Sequence, residues 1–180
     1  MGLEPREFSE AASMAAGLPP AGGWTDFIQT SGGRPFSGDM TRVALAGADL
    51  VVGKLDVPSL SRGAVAADRF VVLTPLAASG VCVWNGHRIE PGEFIAIAPG
   101  ETHHGVNPAG VRFALLSIPT RDVGFSARGV RKFSGEAPRT LCARLRRVAA
   151  AALTHFFQHG EQGVNVIGNR FRLIRFLYRH

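Results

Sequence analysis

The chain has no apolar run longer than the six residues "VAAAAL", Val148 to Leu153, whereas a helix needs about 20 apolar residues to cross a bilayer. A membrane-spanning helix is therefore not expected. The opening "MGLEPREFSE" holds three glutamates and one arginine and has no apolar core, so it does not have the form of a signal peptide. A soluble, cytoplasmic protein without a membrane partner is the expectation. Cysteine is scarce: Cys82 and Cys142 stand far apart without C-x-x-C spacing, which excludes a zinc ribbon or a dithiol redox centre and predicts two small buried hydrophobes. Charged residues make up only 19% of the chain. No G-x-S-x-G elbow marks a serine hydrolase, and "SGGRPFSG" lacks the following G-K-[ST] of a phosphate-binding loop. No cofactor signature is present.

What the chain has in quantity is glycine (22) and proline (11) within a 46% hydrophobic composition, which predicts a turn-rich, mainly β protein. Short apolar runs separated by Gly, Pro and Asn fill the body, and they suggest strands at residues 24–30, 40–46, 50–57, 69–73, 81–84, 93–98 and 111–118. Gly47-Ala48-Asp49 is expected to turn the second run into the third. Asn85-Gly86, between "VCVW" and "HRIE", has the two positive-φ formers of a type I′ hairpin. Pro91-Gly92 and Pro99-Gly100 bracket "EFIAIA" with turns.

A helical period starts only at residue 140, where Leu141, Leu145, Val148 and Ala152 form one stripe with Arg144, Arg146 and Arg147 off it. Such a helix could cover the sheet or meet a second copy of itself. Charge divides at the same point: residues 1–138 hold twelve basic and thirteen acidic residues, and residues 139–180 hold eight arginines and one glutamate. The domain reading is a loosely ordered leader (1–23), a β-barrel (24–138) and a basic helical segment with an atypical tail (139–180). In "NRFRLIRFLYRH" a helix would set Phe171, Leu173, Ile174, Leu177 and Tyr178 opposite Arg172, Arg175 and Arg179, a segment able to lie on nucleic acid, on an anionic membrane or against its own core.

The segment from Gly92 to Asn107, G-E-F-I-A-I-A-P-G-E-T-H-H-G-V-N, is close to the second motif of the cupin barrels. In metal-binding members its histidine joins two further histidines and a glutamate from an earlier strand pair. Here that earlier region, "GADLVVGKLDVPSLSRGAVAADRF", has neither residue type. A metal would have to be held by His103, His104 and His87, and His103 and His104 are neighbours that a strand would point to opposite faces. No metal site is expected. His103 is expected to line the barrel mouth or core and to be a candidate ligand contact. Trp84 is a second candidate, as a stacking face or as core. Glu90, Glu93 and Glu101 cluster at turns as solvated charges.

The run from "DFIQTSGGRPFSG" to "TPL", followed by "VWNGHRIEPGEFIAIAPGETHHGVNPAGVRFALLSIP", resembles the N-terminal sensory domain of AraC-type transcription regulators, in the branch of ethanolamine-operon regulators. The resemblance covers about residues 27–153. It implies a cupin-like (jelly-roll) β-barrel without metal, followed by one or two C-terminal α-helices that mediate homodimerisation through Leu141, Leu145, Val148 and Ala152. It further implies a small-molecule effector and no enzymatic activity. In the family a helix-turn-helix domain then binds DNA. About 27 residues after Leu153 are too few for one, so a truncated regulator is the expectation. The alternatives are a free-standing cupin enzyme with a metal near His103 and a non-specific nucleic-acid binder acting through the arginine-rich tail.

Overall fold

Two patterns of burial separate the strands. In one group every residue of the central run is buried, as in "FVVL" at 70–73 and "FIAI" at 94–97; in the other, buried and exposed residues alternate. A strand covered on both faces shows the first pattern and a strand with one wet face shows the second. The computed structural model describes residues 3–8, 24–30, 34–45, 48–123 and 128–159. They form β1 (Leu3–Phe8), β2 (Trp24–Gln29), β3 (Gly38–Leu45), β4 (Ala48–Leu55), β5 (Ser59–Ala64), β6 (Arg69–Ala77), β7 (Cys82–Trp84), β8 (His87–Ile89), β9 (Phe94–Ile97), β10 (Thr102–Asn107), β11 (Val111–Pro119), α1 (Thr120–Val123), β12 (Val130–Phe133) and α2 (Glu136–His159).

The strands make two antiparallel sheets: a large one in the order β1-β3-β4-β11-β6-β9-β12, and a small one in the order β2-β5-β10-β7-β8. The inner face of the large sheet (Val51, Leu55, Val71, Leu73, Ile95, Ile97, Phe113, Leu115) meets Cys82, Trp84 and Ile89 of the small sheet in one apolar core. Its outer face (Val43, Leu50, Val52, Phe70, Val72, Phe94, Ala96, Leu116, Ile118) is covered by Leu141, Cys142 and Leu145 of α2 in a second core. The fold is thus mainly β, a cupin-like barrel followed by a helix.

The expected strands are present with shifted ends, and three turn segments take the expected form. Asn85 and Gly86 have φ of 48° and 77° between the paired Trp84 and His87. Gly92 and Gly100 likewise have positive φ on either side of β9. The Gly47-Ala48-Asp49 turn is displaced, because Ala48 already pairs with Leu45 and Asp49 with Ala44. Asp49 there accepts from Arg42 (2.7 Å) and Arg69 (2.6 Å), and Arg69 also donates to the buried Ser117 hydroxyl at 3.0 Å. This carboxylate therefore ties four strands of the large sheet at one end.

Strands β1, β5, β10 and β12 were not among the runs expected from apolarity. Within the stretch expected to be a loosely ordered leader, Leu3–Phe8 is a strand paired with β3; residues 9–23 lie outside the described residues. Helix α2 begins at Glu136, inside the segment assigned to the barrel. Gly135, at φ 105°, turns the chain into it, and the Arg139 N–H donates to the Gly135 carbonyl at 3.2 Å. The tail stripe from Phe171 to Tyr178, with its arginines, lies outside the described residues.

Candidate functional site in the barrel interior

On the small sheet, period-two alternation sends Ser59 and Ser61 of β5 and His103, Gly105 and Asn107 of β10 inward, and sends Leu60, Arg62, His104 and Val106 outward. Antiparallel register sets His103 opposite Gly63, Gly105 opposite Ser61 and Asn107 opposite Ser59. His103 is thus buried while His104 is exposed, as strand geometry requires of neighbours. On β5 and β10 the interior face of this sheet is polar where the facing large sheet is apolar.

Trp84 is the centre of that face. Its ring is 2% exposed, so it is part of the core and not an open stacking surface. A Cβ on Gly105 would lie 2.6 Å from Trp84 Cδ1 and 2.9 Å from Ser61 Oγ, so only a glycine lets the indole lie across β10. The indole N–H donates to Asn107 Oδ1 at 2.9 Å. An indole nitrogen can only donate, which fixes the Asn107 amide with its nitrogen toward the serines. Asn107 Nδ2 accordingly donates to Ser59 Oγ (3.4 Å) and Ser61 Oγ (3.3 Å). Both serines act as acceptors there, and among the described residues neither hydroxyl has an acceptor for its own proton. Buried donors are normally satisfied by protein, water or ligand. The pair therefore keeps two hydroxyl protons on the interior face of the small sheet.

The donor set does not fit a metal. Among the described residues no three His, Cys, Asp or Glu side chains come together. His103 stands opposite Gly63 of β5, and a single imidazole holds a transition metal weakly. His87 stands on β8, opposite Trp84, with β7 between it and β10.

Both cysteines are free and buried. Burial pushes the Cys82 thiol up to about 11, and burial likewise raises Cys142, opposed by its contact with Thr74. Neither is a thiolate nucleophile at neutral pH.

A line of contacts joins this interior to α2. The β7–β8 hairpin that carries Trp84 presents the Arg88 carbonyl to Lys132 Nζ at 2.7 Å, and the same ammonium pairs with Glu93 at 2.8 Å. The Glu93 carbonyl accepts from Thr74 Oγ1 at 2.8 Å, and Cys142 Sγ of α2 lies 3.6 Å from it. Burial raises the Glu93 carboxyl, but the Lys132 hydrogen bond, the Glu90 N–H and the charges of Lys132 and Arg139 outweigh it, so the net shift is downward.

The stripe expected to meet a second copy is used within the chain at its first two positions. Leu141 and Leu145 are buried on the large sheet, with Val148 half-buried beside them. The side chain of Ala152 lies outside the described residues. Sequence reasoning singled out Trp84, His103 and Asn107 but not Ser59 and Ser61. The signal for the serines was the two-residue alternation in "SLSRG", with small hydroxyls on one face.

Among solved structures, the chain is similar to the AraC-like transcriptional activator CuxR, at 15% identity and a TM-score of 0.59 over 83% of this chain and 62% of that one. It thus spans less than two thirds of that protein's length. It is also similar to a cupin-2 domain protein of Rhodospirillum rubrum (13% identity, TM-score 0.37, 72% and 87% covered). A third similar structure is a cupin 2 conserved barrel domain protein of Rhodopseudomonas palustris (14% identity, TM-score 0.36, 82% and 96% covered). No protein-family model matches the sequence, and no curated protein matches it. At such identities the likeness is one of fold alone.

Proposed function

We propose that the chain is the effector-sensing module of an AraC-type transcription regulator, in the ethanolamine-operon-regulator-like branch, acting as a homodimer and not as an enzyme. The observation that carries this reading is the interior polar group, in which two buried serine hydroxyls offer protons beside Asn107 and Trp84. The AraC-like activator among the similar structures supports the context. A small polar effector accepting from Ser59 and Ser61 would redistribute the hydrogen bonds of Asn107, and so the position of Trp84. The hairpin, Lys132 and Glu93 then connect that position to α2. Binding and the geometry of α2 are coupled to the extent that the effector prefers one packing over another.

A thermal-shift screen of the full chain against amino alcohols, sugars and small carboxylates tests this. A stabilising compound should quench or shift tryptophan fluorescence and lose its effect in Asn107→Leu. A compound that stabilises the chain equally in that variant would place the effector elsewhere. Stoichiometric iron, manganese or zinc in the purified protein would favour an enzyme instead.

A further inference from the structure

Asn85-Gly86 is the only Asn-Gly pair in the sequence, and it forms the tip of the β7–β8 hairpin that carries Trp84. β7 is tied to β10 over two register positions, Trp84 with Gly105 and Val83 with Val106. Beyond Trp84 the chain turns away into the hairpin, whereas β10 extends past that point to Thr102. Asn85 continues the pairing there. Its backbone N–H donates to the His104 carbonyl at 2.8 Å. Its side-chain Oδ1 accepts the His104 N–H at 3.1 Å, and its Nδ2 donates to the Thr102 carbonyl at 3.0 Å. The planar side-chain amide thus stands in for a peptide unit of a neighbouring strand, and it satisfies backbone groups of β10 on the side where β7 has ended.

The same pair is chemically labile. An asparagine amide can be attacked by the backbone nitrogen of the next residue, and glycine puts no side chain beside that nitrogen. Gly86 is exposed, and a Cβ built on it would meet nothing within 4 Å, so water and hydroxide reach the tip. In the native hairpin the attack is blocked. It requires the Gly86 nitrogen to reach Asn85 Cγ, but the amide is held toward β10 by both of its hydrogen bonds, and the turn fixes the two residues at φ of 48° and 77°.

We propose that Asn85 is a latent deamidation site, closed while its amide pairs with β10 and opened when the β7–β8 hairpin lifts away. Hydroxide removes the Gly86 N–H proton, and the nitrogen attacks Asn85 Cγ. A C–N bond forms, the Cγ–Nδ2 bond breaks and ammonia leaves, giving a succinimide. Water then opens the ring at either carbonyl and leaves aspartate or isoaspartate, with no change of oxidation state. Neither product restores the native contacts. Aspartate sets a charged acceptor against the Thr102 carbonyl in place of a donor, and isoaspartate lengthens the main chain within a two-residue turn. One opening of the hairpin is thereby made permanent, and Trp84 keeps only the two register positions of β7 to hold it on β10. The site is independent of the regulator reading.

The test is incubation of the full chain at mildly alkaline pH, with and without denaturing urea, followed by trypsin and mass spectrometry of the peptide from Phe70 to Arg88, in which Asn85 is the only asparagine. Conversion is expected in urea and should be at least about tenfold slower in the native protein, because the native rate is scaled by the open fraction. Gly105→Ala places a Cβ 2.6 Å from Trp84 Cδ1; by pushing β7 off β10 it should raise the native rate severalfold and leave the rate in urea unchanged. Should circular dichroism show that variant unfolded, wild type in urea below its unfolding transition decides, with a rate that climbs before the fold is lost. Equal native and unfolded rates would overturn the gating by β10. So would a native rate unmoved both by a folded Gly105→Ala and by sub-denaturing urea. No conversion in urea overturns the site itself, and effector binding, read by thermal shift, is untouched by any of these results.

Discussion

The two sheets of this barrel are built on opposite rules. The large sheet is apolar on both faces, because one face meets the barrel core and the other lies under α2. On β5 and β10 the small sheet holds its hydroxyls and amide inside, and Leu60 and Val106 of the same strands lie outside beside Ile28 of β2. A strand that is wet on one face normally puts its apolar residues inward. The large sheet is explained by burial on both faces, whereas the small sheet keeps the Ser59 and Ser61 hydroxyls inside and Ile28, Leu60 and Val106 exposed outside.

That contrast can be broken most severely from the large sheet. Leu115 is fully buried between β4 and β6, and Leu115→Ala should cost about 3 kcal/mol through lost transfer energy and a residual cavity, measured by urea denaturation. An intermediate loss is expected from the interior of the small sheet. Asn107→Ala leaves the Trp84 N–H buried without its acceptor, at about 1–3 kcal/mol. Trp84→Phe in the same background removes the orphaned donor and should restore part of that loss, which a double-mutant cycle would read. Full additivity of the two changes would contradict the pairing.

A smaller effect is expected at the junction with α2. The Glu93 carboxyl is held below its ordinary value of 4.5, so it contributes stability above that pH, and the contribution is lost as pH falls through the lowered value. Lys132→Met removes the cation that outweighs burial, and the acid-unfolding midpoint should move to higher pH. The smallest effect on stability belongs to the outer face of the small sheet, where Leu60→Ser should lie within about 0.5 kcal/mol of wild type.

The central strands β4, β6, β9 and β11 of the large sheet were legible in the sequence because "LVV", "FVVL", "FIAI" and "FALL" are short apolar runs of the kind a doubly covered strand shows, and Pro-Gly turns bracketed β9; β1 and β12 of the same sheet were not. The small sheet was legible at its hairpin and at β2, the run expected at 24–30. "SLSRGA" and "THHGVN" do not resemble strands by apolarity, since their inward positions are serine, glycine, histidine and asparagine. Their pairing depends on residues about forty positions apart, which no local pattern reveals. The Leu141 stripe was found correctly as a helical face. What it faces was not decided by its own period, since a helix packed on a sheet and a helix packed on a copy of itself show the same spacing. The link between Trp84 and Asn107 needed both the hairpin and the register of β10.

Strand order also governs how the chain reaches this state. β11 lies between β4 and β6, so Val111–Pro119 must arrive before residues 48–55 and 69–77 have a shared neighbour. Until then two apolar strands expose unpaired edges to one another and to other molecules. Folding is therefore a race between closure of a distant central strand and association of the open edges, slow by the standards of local topologies. Synthesis from the N-terminus presents the two waiting strands first and the one that seals them some forty residues later.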